Sequence, residues 1–361
     1  MAGGGFTKKL NFLIKTYSCL RFPQNFSDYL PVTEESVRVE SSYIARLKNR
    51  LKAKSILGRL QVKELKKTYQ SLSDEYSREM FLRLILIKLF PGASQIFPRY
   101  WSDYLTKTDK YKQLIIDSDC LSIVSAGHDV SYSLFDLRNI GFPIKMYYSL
   151  HDTIIDFVLE QYRYKDIVKV ADGDVVINGG ACYGNTALYL AHLAGERGKV
   201  YAFEFMEENL ELYQKNMDMN PEIKDRIQLV QRPLGADSSE VLYGYKNGPA
   251  TTLYQEKNER CDREYRAISI DDFVEDNNIQ KIDFIKLDIE GSELRTLHGA
   301  KNTIRRFRPK LAICIYHKKE DLWELPAFIK ELIPEYNLYV DHFTVKDQES
   351  VLFAVTSDKL D

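Results

Sequence analysis

Asp174-Val-Val-Ile-Asn-Gly-Gly-Ala-Cys-Tyr-Gly-Asn-Thr186 is the most informative segment of the chain. Val175, Val176 and Ile177 are β-branched and apolar, the mark of a short buried strand. Gly179 and Gly180 then allow a tight turn, and Gly184 allows a ligand or a helix to come close to the backbone. From Asn185 onward Ala187, Leu188, Leu190, Ala191 and Ala194 recur at helical spacing, so a helix follows directly. Strand, glycine turn and helix together present free backbone N–H groups to a bound ligand. About 20 residues further on, Val200-Tyr-Ala-Phe-Glu204 is a second strand ending in a carboxylate, which suits the two hydroxyls of a ribose. The pair reads as a nucleoside-binding site.

Glycine spacing narrows the nucleoside. A dinucleotide fingerprint needs G-x-G-x-x-G, which leaves room for a pyrophosphate. Here the glycines fall as G-G-x-x-x-G (Gly179, Gly180, Gly184). That spacing resembles motif I of the Rossmann-like S-adenosylmethionine (SAM) methyltransferases, whose ligand has no phosphates.

The 361 residues suffice for one large domain or two. Fifty basic residues stand against 52 acidic, a net charge of −2, so no global attraction to nucleic acid or to anionic membrane is implied. Five dispersed cysteines (Cys19, Cys120, Cys182, Cys261, Cys314) show no metal-type pairing and read as reduced thiols of a cytoplasmic protein. No apolar run approaches the roughly 20 residues of a membrane helix. Lys8, Lys9 and Lys15 around Phe12, Leu13 and Ile14 leave too short an apolar run for a signal peptide. A basic amphipathic helix packed on the body of the protein is expected there, with a membrane surface as the alternative.

Residues 1–125 are expected to form a mainly helical accessory region. Glu34 to Phe90 reads as two or three helices, the clearest capped by Ser73 and ended by Pro91-Gly92. Residues 126–361 are expected to form an α/β domain. Short strands lie at Leu134–Leu137 and Pro143–Tyr148, and an amphipathic helix runs from Asp152 to Tyr164. Beyond Asp174 strand and helix alternate: a helix over Met206–Met219, strands at Ile227–Pro233, Ile282–Glu290 and Lys310–His317, and helices at Ser292–Phe307 and Leu322–Leu332. Repeated βα units require a mostly parallel sheet. Leu338–Phe343 and Val351–Val355 are joined too closely for a crossover, so an antiparallel hairpin should end the sheet.

Several phrases together resemble the FkbM-type methyltransferase family, which mostly O-methylates sugars. They are Phe157-Val-Leu-Glu-Gln-Tyr-Arg-Tyr164, Val176 to Gly184, Val200 to Glu204, Ile285-Lys-Leu-Asp-Ile-Glu-Gly-Ser-Glu-Leu294, Gly299-Ala300 and Arg308 to His317. The resemblance implies a Rossmann-like class I methyltransferase fold with a seven-stranded sheet, and SAM as the cofactor. It implies a cofactor set of Asn178, Gly179, Gly180, Ala181, Gly184, Asn185, Glu204, Phe205, Arg232, Pro233 and Asp288. Asn178 and Asn185 stand where the family usually has Asp. The first such Asp lies near the cationic methionine end of SAM, so losing its charge is expected to weaken binding by roughly 1–2 kcal/mol.

In open α/β sheets ligands sit beyond the carboxyl ends of the strands, where Asp288 and His317 fall on strands about 5 Å apart. A hydroxyl attacking a methyl group must lose its proton, so a base is needed. Asp288, Glu290 and His317 are the candidates, with Lys286 on the same strand face as Asp288 to keep that carboxylate ionised. Glu293, Tyr316 and Lys318 are expected to face the substrate. An ordinary helix start would also explain Asp288, Glu290 and Glu293, and a structural histidine His317. Two carboxylates are too few for a divalent metal, so none is expected. The sequence reading is therefore a cytoplasmic SAM-dependent O-methyltransferase of a sugar or glycan precursor, without nucleic-acid partner or integral membrane segment, with the helical region serving substrate contacts or a homodimer. N-methylation of an amino-sugar or other small molecule and a non-catalytic binding module are the alternatives. An NAD enzyme is disfavoured by the glycine spacing.

Overall fold

The computed structural model describes residues 3–17, 20–21, 38–39, 61–89, 110–125, 128–245, 248–344 and 347–360. The chain begins with α1 (Gly3–Tyr17), the short strands β1 (Leu20–Arg21) and β2 (Arg38–Val39), α2 (Val62–Ser71) and α3 (Glu75–Leu89). Then come β3 (Ile115–Ser125), β4 (His128–Asp136), β5 (Lys145–Tyr148) and α4 (Leu150–Thr153), which runs on as a π turn over Ile154–Val158. The alternating part comprises β6 (Val175–Gly179), α5 (Asn185–Ala194), β7 (Lys199–Phe203), α6 (Glu207–Asp218), α7 (Pro221–Lys224) and β8 (Ile227–Val230). It continues with β9 (Val241–Gly244), β10 (Arg263–Arg266), α8 (Ile270–Asp276), β11 (Phe284–Leu287), α9 (Glu293–His298), α10 (Lys301–Phe307) and β12 (Lys310–Cys314). α11 (Asp321–Leu332), β13 (Asn337–His342) and β14 (Ser350–Val355) close it.

Seven strands form one sheet in the order β13-β14-β12-β11-β6-β7-β8. The neighbours from β12 to β8 all pair in parallel. From β6 the chain adds β7 and β8 on one side, and later β11 and β12 on the other. The order therefore reverses between β6 and β11, the point at which such sheets hold ligands. β3, β4 and β5 form a separate antiparallel sheet, and β9 pairs with β10 in another.

Several expectations are corrected. Residues 115–125, expected in the helical region, are strand β3. The helix expected over 152–164 leaves α-geometry at Ile154, and Glu160 has a left-handed backbone (φ +52°). The helix expected over 292–307 is two, parted at Gly299-Ala300, and β10 had no sequence signal. The helix expected over 206–219 does end before Asn220-Pro221, but Pro221 at once opens the short α7 as its first residue. The expected helices between 34 and 60, and the Pro91-Gly92 stop, lie outside the described residues.

The chain divides into two compact units, Met1–Lys107 with Ile315–Ala327 and Asn337–Leu352, and Thr108–Cys314 with Phe328–Tyr336 and Phe353–Asp361. In the first, α1 buries Phe6, Leu10 and Ile14, and the Phe6 ring lies 5.2 Å from that of Tyr69. α3 is apolar nearly all round, as a helix enclosed by its neighbours must be, with Met80, Phe81, Leu82, Leu84, Ile85, Leu86 and Ile87 buried. Its cap is Asp74, whose Oδ1 accepts the Ser77 N–H (2.8 Å). Ser73, the expected cap, instead accepts the Leu338 N–H (3.0 Å), and the Ser77 hydroxyl accepts that of Val340 (3.1 Å). Serine hydroxyls so satisfy the outer edge of β13.

In the second unit the free edge of β5 is closed by asparagines. Asn216 Oδ1 accepts the Tyr147 N–H (2.8 Å), and its Nδ2 donates to the carbonyls of Tyr147 (3.2 Å) and Tyr183 (2.8 Å). Asn220 does the same for the N–H (2.9 Å) and carbonyl (2.6 Å) of Lys145. Replacing Asn216 by Ala leaves three backbone groups of a half-buried strand edge and turn unpaired. Stability should fall by about 2 kcal/mol, read as a lower urea midpoint.

Candidate functional site

Strand register builds the site. Leu287 lies beside Gly179, Gly179 beside Phe203, and Phe203 beside Val230. The residues that follow these strands therefore meet in one row beyond the carboxyl edge of the sheet. They line a cleft together with Met206 and Asn209 of the α6 entry and Gly248, Pro249, Thr251 and Leu253 of the loop between β9 and β10. All of these residues belong to the second compact unit.

The glycine turn is shaped by its neighbours. Gly180 has φ +78°, and a Cβ there would strike the carbonyl oxygen of Asp288. A Cβ at Gly184 (φ +85°) would press on Met217 and Tyr213 of α6, so it is the helix that comes close there. The amides of this turn are not left free. Gly180 and Ala181 both donate to the Phe203 carbonyl (3.1 and 3.0 Å), and Cys182 donates to Glu204 (2.9 Å). Lys286 is 1% exposed and donates to the carbonyls of Gly179 (3.1 Å) and Gly180 (2.7 Å). Its ammonium thereby staples the turn to β11.

Glu204 is buried at the end of β7. Its Oε1 accepts the amides of Phe205 and Met206 (both 2.8 Å), its Oε2 that of Cys182, and Asn209 adds a side-chain bond. Burial pushes its carboxyl above the usual range, although these bonds pull the other way. Asn209 is 2% exposed and lines the cleft, yet its Oδ1 has no hydrogen-bond partner. A buried acceptor left open beside a buried carboxylate fits hydroxyl donors from a ligand, as the ribose of SAM would supply. Phe205 and Leu253 give the same wall an apolar face, backed by Tyr265 with its ring 4.7 Å from that of Phe205. That face fits a purine.

At the other end stand Asp288 and Glu290. Tyr162 donates to Asp288 Oδ2 (2.8 Å), and Glu290 lines the cleft with φ +53°, an unusual conformation for a glutamate. Glu293, expected to face the substrate, is fully buried, and its Oε1 accepts the amides of Ile289 (2.9 Å) and Gly291 (3.4 Å). It shapes the turn that carries Asp288 and Glu290.

Of the expected cofactor residues, Gly180, Glu204, Phe205, Arg232, Pro233 and Asp288 line the cleft. Arg232 also holds the carbonyls of Arg266 (3.3 Å) and Ala267. Gly179, Ala181 and Gly184 belong to the turn behind it. Asn178 is fully buried, with its Nδ2 on Thr186 Oγ1 (3.1 Å), and Asn185 Nδ2 donates to Asp156 (2.6 Å). Neither asparagine is in the cleft wall, so the departure at Asn178 removes no charge from that wall. Tyr316, His317 and Lys318 lie in the first unit, where the Tyr316 and His317 rings lie 4.0 Å apart, tilted by 40°, and the Tyr316 carbonyl accepts from Lys88 (3.3 Å). The Lys318 amide donates to Asp321 (2.7 Å). Sequence reasoning missed Asn209, Thr251, Leu253 and Ser292. Asn209 had a signal, as a polar residue on the face of α6 that also carries Leu212, Tyr213 and Asn216. The loop after β9 had none.

Asp156 is 5% exposed. Burial pushes its carboxyl up to about 7, with Asp152 and Asp288 adding to the rise while Asn185 and Lys286 oppose it. The folded protein thus keeps a proton that the unfolded chain releases near pH 4. The associated stability is complete below about pH 4, falls as the pH rises toward 7, and is constant above that. Asp156→Asn stays neutral throughout. Its stability relative to the unaltered protein should rise between about pH 4 and 7, by on the order of a few kcal/mol, and then level off, as followed by urea unfolding at each pH. Gly180→Ala should cost at least about 2 kcal/mol in the same assay, since the left-handed turn has no room for a side chain.

Residues 178–339 match the methyltransferase FkbM domain family. Among solved structures, the chain is similar to the methyltransferase FkbM from Methylobacillus flagellatus KT, at 19% identity and a TM-score of 0.50. That match covers 81% of this chain and 58% of the other, so this chain spans little more than half the length of that relative. It is also similar to a SAM-dependent O-methyltransferase from Thermotoga maritima (15% identity, TM-score 0.34, 56% of this chain and 71% of that one). Aeropyrum pernix fibrillarin bound to SAM is a further match (13%, 0.34, 55% and 74%). No curated protein sequence matches the chain. Sheet order and glycine turn agree with the family match: residues 178–339 are similar to the FkbM methyltransferase domain, and the sheet has the class I methyltransferase fold.

Proposed function

We propose that the protein transfers a methyl group from SAM to a hydroxyl of a sugar or glycan precursor in the cytoplasm. The observation that carries this reading is the polarity of the cleft. One end offers a buried carboxylate, an open amide acceptor and an apolar wall (Glu204, Asn209, Phe205, Leu253), and the other offers the acids Asp288 and Glu290. Glu204 and Asn209 would hold the ribose hydroxyls, and Phe205 with Leu253 would cover the adenine. When bound, SAM supplies a methyl group already activated by its sulfonium. The protein's own task is then alignment and removal of the acceptor's proton. Asp288 and Glu290 are the bases within the cleft that could take it, and an oxygen nucleophile needs such a base more than an amine does. Among the described residues no helix is long and apolar enough to cross a membrane.

Isothermal titration of the full chain with SAM tests the cofactor half of this reading. Binding at micromolar strength is expected, weakened at least about tenfold by Glu204→Ala, with Asn209→Ala losing about fivefold as one hydroxyl bond disappears. Titration with the 2′-deoxyribose analogue of S-adenosylhomocysteine should show a smaller loss for Asn209→Ala than the ribose form does. Absence of heat with folded protein would sink the assignment. The acceptor half is tested with radiolabelled SAM and nucleotide sugars: label should enter the sugar as an ether stable to base, and Asp288→Asn should abolish it. Label in an amine would instead support N-methylation.

A further inference from the structure

We infer that Tyr162 is a positioning residue, holding the Asp288 carboxylate toward the cationic methionine end of SAM; this rests on the methyltransferase reading of the cleft. Tyr162 is 3% exposed, and its hydroxyl donates to Asp288 Oδ2 at 2.8 Å. The Lys286 ammonium lies 5.0 Å from the centroid of the same ring while donating to the carbonyls of Gly179 and Gly180. One cation thereby fixes the glycine turn and, through the ring face, the tyrosine that holds Asp288. With the ribose beside Glu204, the row of strand ends carries the rest of the cofactor past Gly180 to Asp288. A sulfonium and an ammonium both favour an ionised, fixed carboxylate there.

The route of the chain to Tyr162 supports this role. Between α4 and Tyr162 the backbone passes through the π turn at Ile154–Val158 and the left-handed Glu160. Such departures from regular helix require compensation from their surroundings. Here they deliver Asp156 to Asn185 of the glycine-turn helix and Tyr162 to Asp288. Phenylalanine would fill the same space and leave the Lys286 contact intact, so the hydroxyl is the part that acts on Asp288.

The test is a double-mutant cycle in SAM affinity, measured calorimetrically on the full chain with Tyr162→Phe, Asp288→Asn and both together. Tyr162→Phe should weaken SAM about tenfold, the loss of one hydrogen bond to a charged group. In the Asp288→Asn background the same change should have less than about twofold effect, because there is no carboxylate left to hold. Tyr189→Phe is the control: Tyr189 is equally buried, but its hydroxyl reaches Glu160 Oε1 (3.3 Å), and SAM affinity should stay within about twofold. An unchanged affinity in Tyr162→Phe overturns the inference, as does an equal loss with and without Asp288. Failure of the unaltered protein to bind SAM overturns the cleft reading and this inference together. Thermal unfolding confirms that each variant is folded before it is titrated.

Discussion

A single buried ammonium organises the carboxyl edge of the sheet. Lys286 sits on β11 with almost no exposure, and its charge would be costly to bury without partners. Its partners are the carbonyls of Gly179 and Gly180 and the face of Tyr162. The glycine turn is therefore held from behind by β11 as well as in front by the Phe203 carbonyl. That double hold explains why two glycines are needed. Gly180 is wedged against the backbone of Asp288, and Gly179 against the side chains of Leu287 and Leu234. The turn is narrow because the neighbouring strand end occupies the space a side chain would take.

The acids at the strand ends divide by what they hold. Glu293 gives its Oε1 to the Asp288–Gly291 turn, and Glu204 binds three backbone amides while also lining the cleft. Both act as backbone clamps, compensating amides that the strand-to-helix turns leave without a helical partner. Asp288 and Glu290 ride on the turn that Glu293 shapes. From sequence all four look alike, as acids near a strand end or a helix start. What separates them is which backbone amides each side chain reaches.

Much of the fold was legible because periodicity reports burial. Val175 to Ile177 and Val200 to Phe203 are continuous apolar runs, and Phe284 to Leu287 is one broken by Lys286 alone, as central parallel strands should be. Glu204 and Asp288 could be placed at the cleft because the ends of such strands are fixed by the runs themselves. The β9–β10 hairpin and its loop could not be, since they pair only with each other and pack a small cluster around Leu242, Leu253 and Ala267. Short strands with one such local contact leave no repeating pattern. Lys286 was assigned by strand alternation to the face of Asp288; alternation gives the face of a long flexible side chain but not its partners, here the carbonyls of Gly179 and Gly180.

The two asparagines that depart from the family's usual aspartates have different physical reasons. Asn185 faces Asp156, a carboxyl already pushed toward neutrality by burial. An aspartate in place of Asn185 would set two buried carboxylates in hydrogen-bond contact, where both cannot remain ionised. The amide avoids that conflict by donating to Asp156, so the contact holds one acid rather than two. Asn178 has no such counterpart: it is fully buried and bonds to Thr186 at the start of α5. An aspartate there could accept from the Thr186 hydroxyl, yet it would add a second buried acid to an interior that already holds Asp156. The neutral residue avoids that further buried charge.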